Sequence, residues 1–455
     1  MRPSLLVPFA LTALGCTFDP GGIAARDLGI REWPVFETSR DAEIYDRGPD
    51  LYQGDINFVP PPDASLPDGL SFPFSPANIS VAYWGMGSGD LFIKSGITLT
   101  IDTSNPAAAV ASLPAGVGLY NDPQALYVIL VLHDLTIEAG GTLRVGGKLP
   151  LIIAANDKVS IEGTLDASAA GRTPGPGGGL GGSAGDDGQG TCGGKHGAYN
   201  TLATDADTGG SGGSFGGKGG RGGAGPYSVD PATTSCVPAC TQHCVVDCLT
   251  PLVGGKGGGG GAEFPVITGG GGAGGAGGGA LQISAAAEIL VGLNGEVLAN
   301  GGAGGGGSGA GGSGGGGGSG GGILLEADKL TIQGVVAANG GGGGGGGAAF
   351  AGGDSGDDGT GSASPAAGGD GAEDWFFGTC RGGKGGAGSS RGDGKQDGQP
   401  GGTGEGQRGE GGGGGGAGRI CLRSKSGAYG GGGVVSPQTS TKSLAYVLCD
   451  LFQCK

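Results

Sequence analysis

Between residues 76 and 168 apolar and polar residues alternate in short runs. Ile97-Thr98-Leu99-Thr100-Ile101, Leu135-Thr136-Ile137, Leu143-Arg144-Val145, Leu151-Ile152-Ile153, Val159-Ser160-Ile161 and Leu165-Asp166-Ala167 are the clearest, with Ile93 between Phe92 and Lys94 ahead of them. A period of two means that each run is a strand with one buried face. Gly140-Gly141, Gly146-Gly147, Asn156-Asp157 and Gly163 supply the turns. From Leu135 the strand starts step by 8, 8, 8 and 6 residues. Such regular short strands predict a mostly β protein, either a β-solenoid or a small β-sandwich.

The same unit returns far along the chain. Asp157-Lys158-Val159-Ser160-Ile161-Glu162-Gly163 is echoed by Asp328-Lys329-Leu330-Thr331-Ile332-Gln333-Gly334, and a looser copy runs from Leu281 to Asn300. Both later copies run into Ala-Asn-Gly-Gly, at Ala299 and Ala338, and Arg419-Ile420-Cys421-Leu422 predicts a further strand. Glycine-rich tracts separate the copies, over roughly 169–280, 301–322, 340–418 and 430–433. Repeated rungs with long excursions favour the solenoid, because insertions can leave from one corner while the rungs continue to stack.

The 455 residues include 120 Gly and 25 Pro, and the tracts break the triplet register that collagen requires. Glycine loses the most backbone entropy on ordering, so composition alone leaves the purest tracts disordered. The alternative is side-by-side packing of polyproline-II-like segments, whose bare backbones can approach closely enough for interchain contacts.

Charge and the N-terminus set the compartment. A net charge of −16 argues against nucleic acid as a partner. Arg2, the apolar stretch Leu5 to Leu14 and the small residues before Cys16 have the layout of an export signal, too short to span a bilayer. Ala13-Leu14-Gly15-Cys16 resembles a bacterial lipobox, which implies diacylation of Cys16 and anchoring to a membrane. Thr17 in place of Asp after the cysteine points, by the same resemblance, to the outer membrane. The chain then divides into a signal peptide (1–15), an acidic, Pro-rich tether (16–75), a β-strand domain (76–168), a glycine-rich region with interleaved β repeats (169–435) and a Cys-stapled C-terminal segment (436–455).

Ten cysteines in an exported chain read as staples. With Cys16 lipidated, the disulfide candidates are Cys192, Cys236, Cys240, Cys244, Cys248, Cys380, Cys421, Cys449 and Cys454, an odd number whose connectivity the sequence leaves open. Cys192 and Cys380 each sit in a Thr-Cys-x-Gly context, and they either pair with each other or tie down their own loops. Four cysteines at steps of four, Cys236 to Cys248, lack the Cys-x2-Cys knuckle of zinc sites. Gly185-Asp186-Asp187-Gly188 and Gly356-Asp357-Asp358-Gly359 lack the tandem apolar position of calcium β-rolls and read as solvated turns. Neither a metal nor a cofactor is expected.

Catalytic signals are sparse. Gly-x-Ser-x-Gly around Ser211, Ser313 and Ser319 lies in glycine sequence with no strand–helix context for a nucleophile elbow. Only His133, His196 and His243 are present, so general acid–base chemistry lacks its commonest donor. A carbohydrate-active lyase or hydrolase could still use Asp134, Arg144, Lys158 and Asp166 on a strand face. Trp375-Phe376-Phe377 reads as a docking anchor for its loop, and Arg391-Gly392-Asp393 as chance.

With the lipobox and Gly271-Gly272-Ala273-Gly274-Gly275-Ala276-Gly277-Gly278-Gly279 together, the chain resembles glycine-rich bacterial surface lipoproteins, and its tracts are similar to the PGRS regions of PE-PGRS proteins. The resemblance implies a non-catalytic structural or adhesive role at the cell surface, with extracellular polysaccharide or matrix as partner. The alternative is a surface carbohydrate-active enzyme on a β-solenoid. Replacing Cys16 by Ala is expected to abolish metabolic labelling with a fatty acid and to release the protein to the medium. Unchanged membrane retention would remove the anchor.

Overall fold

The computed structural model describes residues 74–437 and the backbone of Tyr446–Asp450. Within that span 81–82, 84–85, 123, 125, 199–207, 224–248, 263–269, 310, 349, 363, 374–380, 391–396, 405–408 and 425–428 are not described. The signal sequence, Cys16 and the tether up to residue 73 also lie outside the described residues. The chain is mostly β, and the one α-helix among the described residues is the five-residue α1 (Pro106–Val110).

The strands come in sets. β1 (Leu91–Ile93) and β2 (Thr98–Asp102) lead, and after α1 the strand β3 (Gly118–Asn121) turns back antiparallel on β4 (Val128–Leu132). Then β4, β5 (Leu135–Ile137) and β6 (Thr142–Gly146) are followed by β7 (Leu151–Ala155), β8 (Lys158–Ile161) and β9 (Thr164–Asp166). Glycines with positive φ make two of the turns between them: Gly140 at +80° and Gly147 at +110°. Later sets fuse the first two strands. β10 (Ala280–Val291) pairs with β7 through its first half and with β8 through its second, and β11 (Glu296–Leu298) follows. β12 (Gly322–Ile332) and β13 (Val335–Ala337) repeat that set, before β14 (Arg419–Ser424), β15 (Gly430–Gly431), β16 (Val434–Ser436) and β17 (Tyr446–Asp450).

Apart from β3–β4, every pairing between these strands is parallel. Two sheets result, one running β1-β5-β8-β10-β12-β14-β17 and the other β16-β13-β11-β9-β6-β2. The repeated units recognised in the sequence therefore stand in register: Val159 pairs with Ile289, which pairs with Leu330. In the second sheet Leu99, Leu143, Leu165, Val297, Val336 and Val435 form one continuous row. Most of these rows are fully buried in a single core. Each buried Leu, Ile or Val contributes roughly 1.5–3 kcal/mol from its removal from water.

The first sheet is buried on both faces around β4, β7, β10, β12 and β14. Its other face carries Ile129, Val131, Ile152, Ala154, Leu324 and Cys421, covered by Ile79, Phe215, Leu249 and Leu252. This double burial corrects the one-face reading of Leu151-Ile152-Ile153: β7, like β4, is a continuous apolar run because the sheet is covered on both faces there.

The glycine tracts leave after β9, β11 and β13, and they are not structureless. Composition alone suggested disorder for them, but the described tracts are hydrogen-bonded to one another along their length. Residues 312–321 illustrate the rule. Gly314, Gly317 and Gly320 donate to Glu410, Gly413 and Gly416; Gly315, Gly318 and Gly321 donate to Gly305, Gly302 and Ala299; Gly316 and Ser319 donate to Gly259 and Lys256. The carbonyls of the same tract accept from Gly272, Gly275 and Gly278, from Gly210 and Gly213, and from Gly341, Gly344 and Gly347. Successive peptide groups thus point at different neighbours, the pattern repeats every third residue, and one tract is bonded to six others. These bonds measure 2.7–3.0 Å.

Packing this dense depends on the missing side chain. A Cβ on Gly314, Gly315, Gly316, Gly317, Gly318 or Gly320 would overlap a backbone carbonyl oxygen of a neighbouring tract. The two non-glycine residues inside 312–321 are Ser313 and Ser319, six positions apart and so on the same edge of a three-residue repeat. Gly317→Ala is expected to destabilise the fold by about 1–3 kcal/mol, whereas Gly146→Ala, with open space around the new methyl, should be near neutral. Guanidinium unfolding midpoints distinguish the two. Equal midpoints for both variants would mean that the array does not contribute to stability.

Candidate functional site

The ionisable residues singled out in the sequence do not converge. Arg144 on β6 forms an ion pair with Asp166 on β9 and also donates to the Ser168 carbonyl. Asp134, just before β5, accepts the backbone N–H of Lys158 at 2.8 Å. The first pair belongs to the six-stranded sheet and the second to the eleven-stranded one, so the four residues make two local ties rather than one charged face.

The paired aspartates of the glycine excursions act as anchors. Asp187 accepts from Lys195 Nζ at 2.6 Å and from the His196 backbone at 2.9 Å, and it contacts His196 Nδ1 at 2.7 Å. Burial pushes its carboxyl up, but the bonds from Lys195 and His196 outweigh this and hold it below its ordinary value. Asp358 Oδ1 accepts the backbone N–H groups of Gly171 and Ala303 at 2.8 and 2.7 Å, joining three glycine segments.

His133 stands with its Nδ1 3.4 Å from Asp90 Oδ1 and 3.4 Å from Asp134 Oδ2, at the exposed corner between β4 and β5. Among the described residues this is the grouping in which three potential metal-ligating atoms lie within 4.8 Å of one another. These side chains are largely exposed, so their contacts contribute little to stability.

A polar row missed in the sequence lies on the covered face of the first sheet. In register across β7, β10, β12 and β14 stand Ala154, Ser284, Glu326 and Arg423. Glu326 is fully buried and forms an ion pair with Arg423. It also accepts from Ser284 Oγ at 2.8 Å, Gln282 Nε2 at 3.1 Å and the Ala77 N–H at 3.1 Å. Gln282 donates to the Ala77 carbonyl at 2.6 Å and accepts from Asn78, which in turn donates to the Leu249 carbonyl. This network fastens the segment around Asn78 to the sheet. Burial pushes the Glu326 carboxyl up, opposed by Arg423 and by the bonds from Ser284 and Ala77. The sequence signal was the break in two apolar runs by Gln282, Ser284 and Glu326.

A second ladder marks where the chain leaves the sheets. Ser168, Asn300, Asn339 and Ser436 stack, with Asn300 N–H donating to Ser168 Oγ at 3.0 Å, Asn339 N–H to Asn300 Oδ1 at 2.8 Å, and Ser436 Oγ to Asn339 Oδ1 at 2.7 Å. The recurring Ala-Asn-Gly-Gly of the sequence is this ladder.

Of the cysteines, Cys421 on β14 is buried and disulfide-bonded. Cys192 is half-buried. Cys16, Cys236, Cys240, Cys244, Cys248, Cys380 and Cys454, His243, Trp375-Phe376-Phe377 and Arg391-Gly392-Asp393 lie outside the described residues, as does the side chain of Cys449.

Because the Glu326–Arg423 pair is desolvated, removing one partner should cost more than removing both. Arg423→Met alone is expected to destabilise by about 3–5 kcal/mol, and Glu326→Gln in the same chain should recover much of that loss. Denaturation midpoints of the two single variants and the double variant measure the coupling. Strict additivity would contradict it. No family model, curated protein or solved structure matches this chain.

Proposed function

We propose that this chain is a non-catalytic structural or adhesive protein of the cell surface. It is held to a membrane through lipidated Cys16, with β-solenoid rungs that carry a block of polyproline-II-like glycine segments. The single observation behind this reading is the hydrogen-bonding of tract 312–321 to six neighbours with a repeat of three. Three residues per turn, with every peptide group turned outward, is the polyproline-II habit, and bare backbones allow lateral bonding in all directions. The stacked parallel registers of both sheets support the solenoid in preference to the sandwich.

A block tied together through main-chain bonds suits a display role. Its interior is mostly bare backbone with a few buried side chains such as Ser313, Ser319 and Glu410, so it offers proteases few side chains to grip. Its surface carries the acidic groups that keep it soluble. Extracellular polysaccharide or matrix is the partner class that fits an exported, lipid-held shaft.

The enzymatic alternative needs Asp134 or Asp166 at a reacting centre, and each is engaged in a local tie. Bacterial cells expressing the chain should stain at the surface with antibody and retain matrix or polysaccharide without cleaving it. Release of new reducing ends or unsaturated sugars from a polysaccharide panel, lost in Asp166→Asn, would overturn the structural reading in favour of a carbohydrate-active enzyme.

A further inference from the structure

The charged row along the outer face of the first sheet is out of order at its start. One residue ahead of β1 and β5 stand Asp90 and Asp134, level with each other because Leu91 pairs with Leu135. The same row continues through Lys158, Glu288 and Lys329. From Asp134 onward the signs alternate, and Lys329 Nζ meets Glu288 at 2.6 Å. The step from Asp90 to Asp134 instead sets carboxylate over carboxylate, which is destabilising on neighbouring strands unless a cation lies between them. Among the described residues no lysine or arginine forms an ion pair with either.

The side chain that reaches both is His133, its Nδ1 3.4 Å from Asp90 Oδ1 and 3.4 Å from Asp134 Oδ2. Each separation exceeds the length of an N–H···O hydrogen bond, about 2.7–3.2 Å, and Nδ1 carries at most one hydrogen for the two oxygens. Ligand atoms about 2.0–2.1 Å from a tetrahedral Zn²⁺ stand roughly 3.3–3.4 Å apart. An octahedral Mg²⁺ would draw them to roughly 2.9–3.0 Å. The two His133 edges match zinc, and all three atoms lie within 4.8 Å of one another. Main-chain bonds hold the three residues: His133 N–H donates to the Gly89 carbonyl at 2.8 Å, Leu91 N–H to the Asp134 carbonyl at 2.8 Å, and Asp157 N–H to the His133 carbonyl at 3.1 Å. Asp134 Oδ1 accepts the Lys158 N–H at 2.8 Å, an outer bond of the kind that orients ligand carboxylates.

We propose that Asp90 Oδ1, His133 Nδ1 and Asp134 Oδ2 bind a zinc ion, with the fourth tetrahedral position left to water. One imidazole nitrogen and two carboxylate oxygens suit a borderline cation, where a soft ion would call for thiolates and a hard one for oxygen alone. The ion neutralises the stacked carboxylates and takes the Nδ1 lone pair, which fixes the ring proton on Nε2. It also clips the start of β1, a three-residue strand at the edge of its sheet, to the corner between β4 and β5. The site does not depend on the surface role proposed above.

The test uses the full chain, stripped of metal by a chelator, with zinc chloride as probe and diethyl pyrocarbonate as reporter. That reagent acylates an imidazole lone pair, and zinc removes the one that His133 offers. Modification is read by mass on the tryptic peptide 95–144, whose only histidine is His133, beside peptide 196–218, whose only histidine is His196. Zinc at about 0.1 mM should slow His133 roughly tenfold or more and leave His196 unchanged. Magnesium at the same concentration should protect neither. Asp90→Asn, at a side chain 67% exposed, and Asp134→Asn, which keeps an acceptor for the Lys158 N–H, should retain the circular dichroism spectrum. Each should raise the half-protecting zinc concentration roughly tenfold or more. An unslowed His133 in wild type, equal protection of His196, equal protection by magnesium, or a half-protecting concentration unmoved by either substitution would each overturn the assignment.

Discussion

One constraint governs the architecture: backbones can lie side by side and bond in six directions only where no Cβ intervenes. In the block formed by tracts such as 312–321, 341–347 and 409–416, nearly every added methyl would meet a carbonyl oxygen of the next segment. Ordering so many glycines loses a large conformational entropy. What offsets it is regular main-chain hydrogen bonding combined with close contact along every side of a tract. Since the bonding is collective, a single segment would not keep this conformation alone.

The two sheets supply the template. Their rows of Leu, Ile and Val fix the vertical order of the strands, and each glycine excursion begins and ends at a strand end whose height is already set. Ser168, Asn300, Asn339 and Ser436 hold the exit points in line. Excursions that leave one above another can then meet in a common lattice, although their sequences are far apart. The hydrophobic core thereby orients segments that contain almost no hydrophobic groups.

Legibility followed the physics of side chains. Alternation at Leu143-Arg144-Val145 and the Asp-Lys units at 157 and 328 announced strands that pair in register, because one face of each is wet. The runs at Val128–Leu132 and Leu151–Ala155 carry no such period, since the sheet is covered on both faces there. Glu326 and Arg423 are 97 residues apart, so their pairing appears only when β12 and β14 lie together. The array was least legible of all: glycine has no side-chain pattern to read, and its three-residue repeat exists only in the bonds. The stacking of Lys256 and Arg419 on Phe215 was hidden for the same reason, two of the residues coming from one glycine excursion and the third from the start of β14.

The central claim is that the glycine tracts are ordered by their own main-chain bonds. Amide hydrogen exchange on the intact protein, localised by electron-transfer fragmentation, tests it directly. Protection across 312–321 comparable to that of β10 and β12 is the predicted result. Exchange of those glycines within the dead time, while the strands remain protected, would contradict it.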